Sequence, residues 1–128
     1  MNRSITIALS MLAGAALGAA AVQGLHAQSK PPVYYVSEID ITNLEGYTKD
    51  YAPKAQALTR SMGGRLLAAS QTITAFEGAP PRTRVTISAW DSFDKVQAWR
   101  NSAEYKDLRK VADQYAKFRA FAVEGLSQ

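Results

Sequence analysis

The chain has 128 residues, 47% of them apolar and 20% charged, which suits one compact domain and leaves no room for two. It has no cysteine and a single histidine, His26, which excludes disulfides, thiolate chemistry, zinc sites of the usual kind and Ser-His or Cys-His nucleophile systems. The net charge of +4 is mild. Its basic residues are scattered, with Arg109-Lys110 the only adjacent pair, so no nucleic-acid footprint is expected.

Residues 1–27 read as a secretory signal peptide: Arg3 precedes an apolar run from Ile5 to Val22, no acid occurs before Glu38, and Leu25-His26-Ala27 ends in a small residue. The run is near the lower limit for a bilayer span and consists mostly of Ala and Gly, which insert poorly. Cleavage after Ala27 is therefore expected, giving a periplasmic or secreted protein that lacks His and is not held in a membrane. Residues 28–32 form a linker, and residues 33–126 the domain.

Val33 to Ile41 is rich in β-branched and aromatic residues and predicts a strand. One face carries Val33, Tyr35, Ser37, Ile39 and Ile41; the other carries Tyr34, Val36, Glu38 and Asp40. Asn43 is the expected N-cap of a helix, whose apolar stripe is Tyr47, Tyr51, Ala55, Leu58 and Met62. Pro53 should kink this helix, and Gly63-Gly64 should end it. Arg65 to Phe76 predicts a second strand, bent near Ser70-Gln71, and Glu77 to Pro81 a turn. Thr83 to Trp90 predicts a third strand. Asp91 or Ser92 caps a helix with Phe93, Val96 and Trp99 on its buried side. Ser102 recaps the chain for a stripe of Tyr105, Leu108, Ala112 and Tyr115, and Lys117 to Glu124 completes the set as a strand.

The order β-α-β-β-α-β predicts an α+β, ferredoxin-like domain with both helices on one face of a four-stranded antiparallel sheet. Tyr34, Val36, Thr86 and Trp90 are expected on the bare face, with Glu38 and Arg84 beside them. An aromatic bare face calls for cover, and a second copy related by a two-fold axis supplies it. A homodimer follows.

Tyr34-Tyr35-Val36, Tyr47 and Tyr51, Gly63-Gly64-Arg65, Glu77-Gly78 and Trp99-Arg100-Asn101-Ser102-Ala103-Glu104-Tyr105, with Arg109 after them, together resemble the DUF1330 family, a branch of the dimeric α/β-barrel superfamily. The last piece is similar to that family's W-x-x-S-x-E-Y signature. The sequence departs from the family at Ala68-Ala69-Ser70, where relatives tend to carry a basic residue and glycines, and in its leader. The resemblance implies the fold and a dimeric α/β barrel, but no established activity.

The candidate ligand-binding residues are Tyr34, Tyr51, Trp90 and Trp99, and the candidate catalytic residues are Glu38, Arg65 and Tyr105. Glu38 beside Tyr34 and Val36 would be desolvated unless Arg65 or Arg84 paired with it, and could serve as a general base. An interface ion pair accounts for Glu38 equally well, and core packing and capping account for Trp99, Ser102 and Tyr105. The hydroxyls of Tyr47 and Tyr51 could reach a crevice between helix and sheet. No metal, cofactor, phosphate loop or nucleophile elbow is expected. Two functions stay open: a homodimer that binds a small apolar or aromatic ligand or is structural, and, by analogy with superfamily relatives, a cofactor-independent oxygenase or isomerase acting on a small aromatic or lactone substrate.

Overall fold

In a computed structural model, which describes residues 30–127, four strands pair in the order β2-β3-β1-β4, all antiparallel. The expected leader lies outside the described residues. The strands are β1 (Val33–Ile41), β2 (Arg65–Ser70), β3 (Arg84–Trp90) and β4 (Ala116–Glu124). Between β1 and β2 the chain forms α1 (Leu44–Gly46), a π-helical turn (Tyr47–Tyr51) and α2 (Ala52–Ser61); between β3 and β4 it forms α3 (Phe93–Asn101) and α4 (Ala103–Ala112). This is the expected ferredoxin-like α+β arrangement, and Pro31–Leu126 make up one compact unit.

Local chemistry sets the element ends. The Asn43 side chain accepts from Gly46 N (3.0 Å), Ser92 from Lys95 N (3.2 Å) and Ser102 from Tyr105 N (3.2 Å), so each helical segment satisfies one of its orphan donors. Pro53 lies in the first turn of α2, where a missing N–H costs nothing. The expected kink is a wider π turn just before it. Gly63 closes α2 in the left-handed region at φ +101°. A Cβ at Gly64 would come 2.6 Å from the Trp90 ring, so only glycine lets the chain pass so near that ring. β2 is shorter than expected: it bulges between Leu66 and Ala68 and leaves the sheet at Ser70, where the Ser70 hydroxyl accepts from Thr72 N (3.0 Å).

The helices cover one sheet face. Two buried clusters lie beneath them, one around Val33, Tyr35, Trp90, Val96, Trp99 and Tyr105, the other around Ile39, Tyr47, Tyr51, Ala112 and Ala116. Phe93, expected on the buried side of α3, is 44% exposed.

The register corrects the expected facing of β3. Tyr35 pairs with Ser88, Ser37 with Thr86 and Ile39 with Arg84, and directly opposed residues share a face. Arg84, Thr86, Ser88 and Trp90 therefore lie beneath the helices and not on the bare face. Trp90 is only 2% exposed. The bare face instead carries Tyr34, Val36, Val85, Ile87, Phe121 and Val123, with Glu38 opposite Arg119. Tyr34, Val36 and Glu38 are where the alternation of β1 put them.

Candidate functional site

The inward face of β3 is polar because its alternation puts Arg84, Thr86 and Ser88 opposite the inward residues of β1. Beneath the helices these groups meet a wall of rings. The two together enclose a cleft of about 60 Å³ between sheet and helices. Its aromatic lining is Tyr35, Tyr47, Tyr51, Trp99, Tyr105 and Phe118; its polar floor includes Ser37, Arg84, Thr86 and Ser88. The volume holds a few waters or a small group of heavy atoms.

The rings are held by one another. Trp99 meets Tyr35 edge-on at 5.0 Å, Tyr105 at 4.7 Å and Trp90 at 4.9 Å between centroids. Tyr51 packs against Tyr47 at 5.2 Å and Phe118 at 5.9 Å. Such pairs contribute about 0.5–1.5 kcal/mol each beyond burial, so the lining is a rigid surface.

Beside the cleft, two guanidinium groups converge on two phenols. Arg100 Nη1 donates to the hydroxyls of Tyr35 and Tyr105, both at 2.8 Å, and Arg109 Nη1 donates to Tyr105 at 3.3 Å. Arg109 also pairs with Asp113 (3.1 Å) and stacks over Phe118, 4.0 Å from the ring centroid. Tyr35, Arg100, Arg109 and Phe118 border a broader, open vestibule of about 470 Å³, lined also by Val96, Gln97, Asn101 and Ala120. Tyr35 and Phe118 line both spaces.

Burial sets the protonation of the phenols. It pushes the Tyr35 hydroxyl up to about 12, with the neighbouring Tyr105 adding to the rise and Arg100 opposing it. Burial raises Tyr51 further, and raises Tyr47 against the pull of Arg84. These tyrosines are neutral hydroxyls near pH 7 and are not bases. Arg109 is raised despite its desolvation, because Tyr105 and Asp113 accept from it. The buried side-chain atoms without a hydrogen-bond partner among the described residues are Arg84 Nε, Trp99 Nε1 and Arg109 Nε, and every one of them is a donor.

The sequence-derived candidates divide between two faces. Tyr51, Trp99 and Tyr105 meet in the cleft. Trp90 is packed behind it, donating from Nε1 to the Ser88 hydroxyl at 2.8 Å. Tyr34, Glu38 and Arg65 belong to the opposite sheet face. Glu38 pairs there with Arg119 (3.1 Å), and not with Arg65 or Arg84. Sequence reasoning missed Arg84 and Arg100 as parts of the site. The available signal was the pairing of Trp99-Arg100 with Tyr105 and Arg109, which are one helical turn apart. Among the described residues no group of three or more Asp, Glu, His or Cys is placed to hold a metal ion, and no helix is long and apolar enough to cross a membrane.

Solved structures share this fold at low identity. A Rhodopseudomonas palustris protein of unknown function superposes with a TM-score of 0.63 at 14% identity, over 84% of this chain and 93% of that one. SnoaB, a cofactor-independent oxygenase from Streptomyces nogalater, gives 0.57 at 10% identity, over 77% and 96%. A dimeric Bacteroides fragilis protein of unknown function with a ferredoxin-like fold gives 0.52 at 12%, over 75% and 98%. No curated protein matches the sequence. Residues 32–126 match the profile described as domain of unknown function (DUF1330), and with the signature around Trp99 and the four-stranded sheet in place, the chain belongs to that family.

Proposed function

We propose that this is an exported homodimer that binds a small apolar or aromatic ligand where the aromatic cleft between helices and sheet meets the wider vestibule beside it. The observation that carries this reading is the cleft itself: six aromatic side chains and a polar floor surround a cavity in a domain small enough to have filled it. Concave, mainly apolar walls with a few placed polar groups are the usual form of a ligand site. Export to the periplasm or the medium rests on the leader-like composition of residues 1–27. The dimer rests on the apolar bare face, and the dimeric Bacteroides fragilis neighbour is consistent with it.

A thermal-shift screen of the purified protein against small apolar and aromatic compounds tests the binding. A ligand specific to the folded state raises Tm by an amount that grows with the logarithm of its free concentration over Kd. Stabilisation by at least one aromatic class is expected, and a flat response across all classes sinks the reading.

SnoaB's fold favours a second reading, a cofactor-independent oxygenase or isomerase acting on a small aromatic or lactone substrate. Glu38 would be its base, acting in the space between two paired sheets. Glu38→Gln should then abolish turnover, and unchanged turnover on any substrate found excludes that base.

A further inference from the structure

We infer that the vestibule beside the cleft is an oxyanion site, and that the ligand is a small organic acid whose carboxylate is held by Arg100 and Arg109. The inference rests on the binding reading above and adds the class of ligand.

Three observations carry it. First, the two guanidinium groups share the Tyr105 hydroxyl at 2.8 and 3.3 Å. Like charges this close repel unless an anion lies among them. Asp113 compensates Arg109 alone, and no carboxylate is within salt-bridge distance of Arg100 among the described residues. Second, an adjoining surface recess that shares Arg100, Asn101 and Arg109 with the vestibule adds Lys106 and Lys110, so four cations stand there against Asp113 and against Asp107, which pairs with Lys110 at 3.9 Å. A positive recess of this kind concentrates anions. Third, the buried unpartnered side-chain atoms are all donors. Arg109 Nε is beside the vestibule, while Trp99 Nε1 and Arg84 Nε belong to residues lining the cleft. The phenols of Tyr35 and Tyr105 accept from Arg100, which leaves their own protons to give. Buried donors without partners are complementary to a molecule rich in acceptor oxygens, and guanidinium forks match a carboxylate in shape as well as charge.

The apolar part of the ligand follows from the walls. Tyr35 and Phe118 line both spaces, and Val96 and Ala120 complete an apolar side to the vestibule. A carboxylate on the arginines thus places its carbon body against aromatic rings. The vestibule's 470 Å³ is within the range of small-molecule sites.

The test is calorimetric titration of the full chain with three probes: benzoate, benzyl alcohol and acetate. Benzoate should bind at least about tenfold tighter than benzyl alcohol, as a charged hydrogen-bonded pair is worth more than a neutral one. Arg100→Gln should remove that advantage while leaving benzyl alcohol unchanged. Gln97→Glu, on the exposed rim, should weaken benzoate by a similar factor without touching the Arg100–tyrosine bonds, and it serves if the arginine variant fails to fold. Equal binding of benzoate and benzyl alcohol overturns the proposal, as does a benzoate advantage that survives both substitutions. Acetate binding as tightly as benzoate would leave the anion site standing and remove the aromatic reading beneath it. Failure of all three probes removes both.

Discussion

The sharpest consequences belong to single side chains. Tyr35 accepts from Arg100 and packs edge-on against Trp99, and its hydroxyl is pushed up to about 12 by burial. An acid whose folded value exceeds its unfolded value, near 10 for tyrosine, stabilises the fold fully below the unfolded value. That contribution is lost as pH rises from about 10 through 12. Alkaline unfolding of the protein should therefore steepen across this window. Tyr35→Phe should flatten the dependence while costing stability at pH 7, since Arg100 loses one acceptor. Urea denaturation at stepped pH measures both, and an unchanged alkaline slope in the variant would remove Tyr35 as the source. Arg84 acts in the same setting: its guanidinium lies 5.7 Å from the centre of the Tyr47 ring, and it brings a charge to the polar floor of an aromatic cleft.

Elements show which parts of the fold were legible. Asn43 and Ser102 are caps in the sequence and caps in the structure, and of the two residues the sequence offers for α3, Asp91 and Ser92, the cap is Ser92, because capping is settled within four residues. The Ser102 cap separates α3 from α4 and so sets the angle at which Trp99 and Tyr105 face each other. Ser102→Ala should cost about 1 kcal/mol of stability. It should also loosen the Trp99–Tyr105 contact, which a loss of near-ultraviolet circular dichroism would report; full retention of both signals counts against the cap's role. Other elements were less legible. The stripe through Tyr47 and Tyr51 reads as ordinary α-helix with a proline kink, yet the chain widens into a π turn that brings both tyrosines to the core. Such turns have no distinct sequence pattern and occur often at functional sites. β2 ends at Ser70 and not at Phe76, because a serine hydroxyl–backbone bond competes with the ladder there.

The whole molecule turns on its uncovered sheet face. Phe121 and Val123 are 47% and 49% exposed, beside Tyr34, Val36, Val85 and Ile87. Contiguous apolar surface of this kind marks an interface, and sheet-to-sheet association under a two-fold axis buries it without a second protein. Analytical ultracentrifugation at low micromolar concentration should find a dimer. Ile87→Lys, at the middle of that face, should shift the population to monomer, as an unpaired buried charge costs several kcal/mol. A well-folded monomer in the unsubstituted protein contradicts the dimer. In the single chain Arg119 is largely exposed, so the Glu38–Arg119 pair is screened by salt and contributes at most about 1 kcal/mol.

Local rules alone determined the order of elements, their caps, the aromatic stripe and the family signature around Trp99, because each is written in contacts between near neighbours along the chain. Which side of β3 faces inward was decided by tertiary structure. One face, Val85-Ile87-Ala89, is wholly apolar and the other, Arg84-Thr86-Ser88-Trp90, is polar but for its tryptophan, and it is the register with β1 that turns the second inward. The meeting of Arg100 with Tyr35 joins residues 65 positions apart. No periodicity records a contact over that distance; it exists because the sheet and the helix pair are packed face to face, and the polar floor and the arginine cluster exist for the same reason.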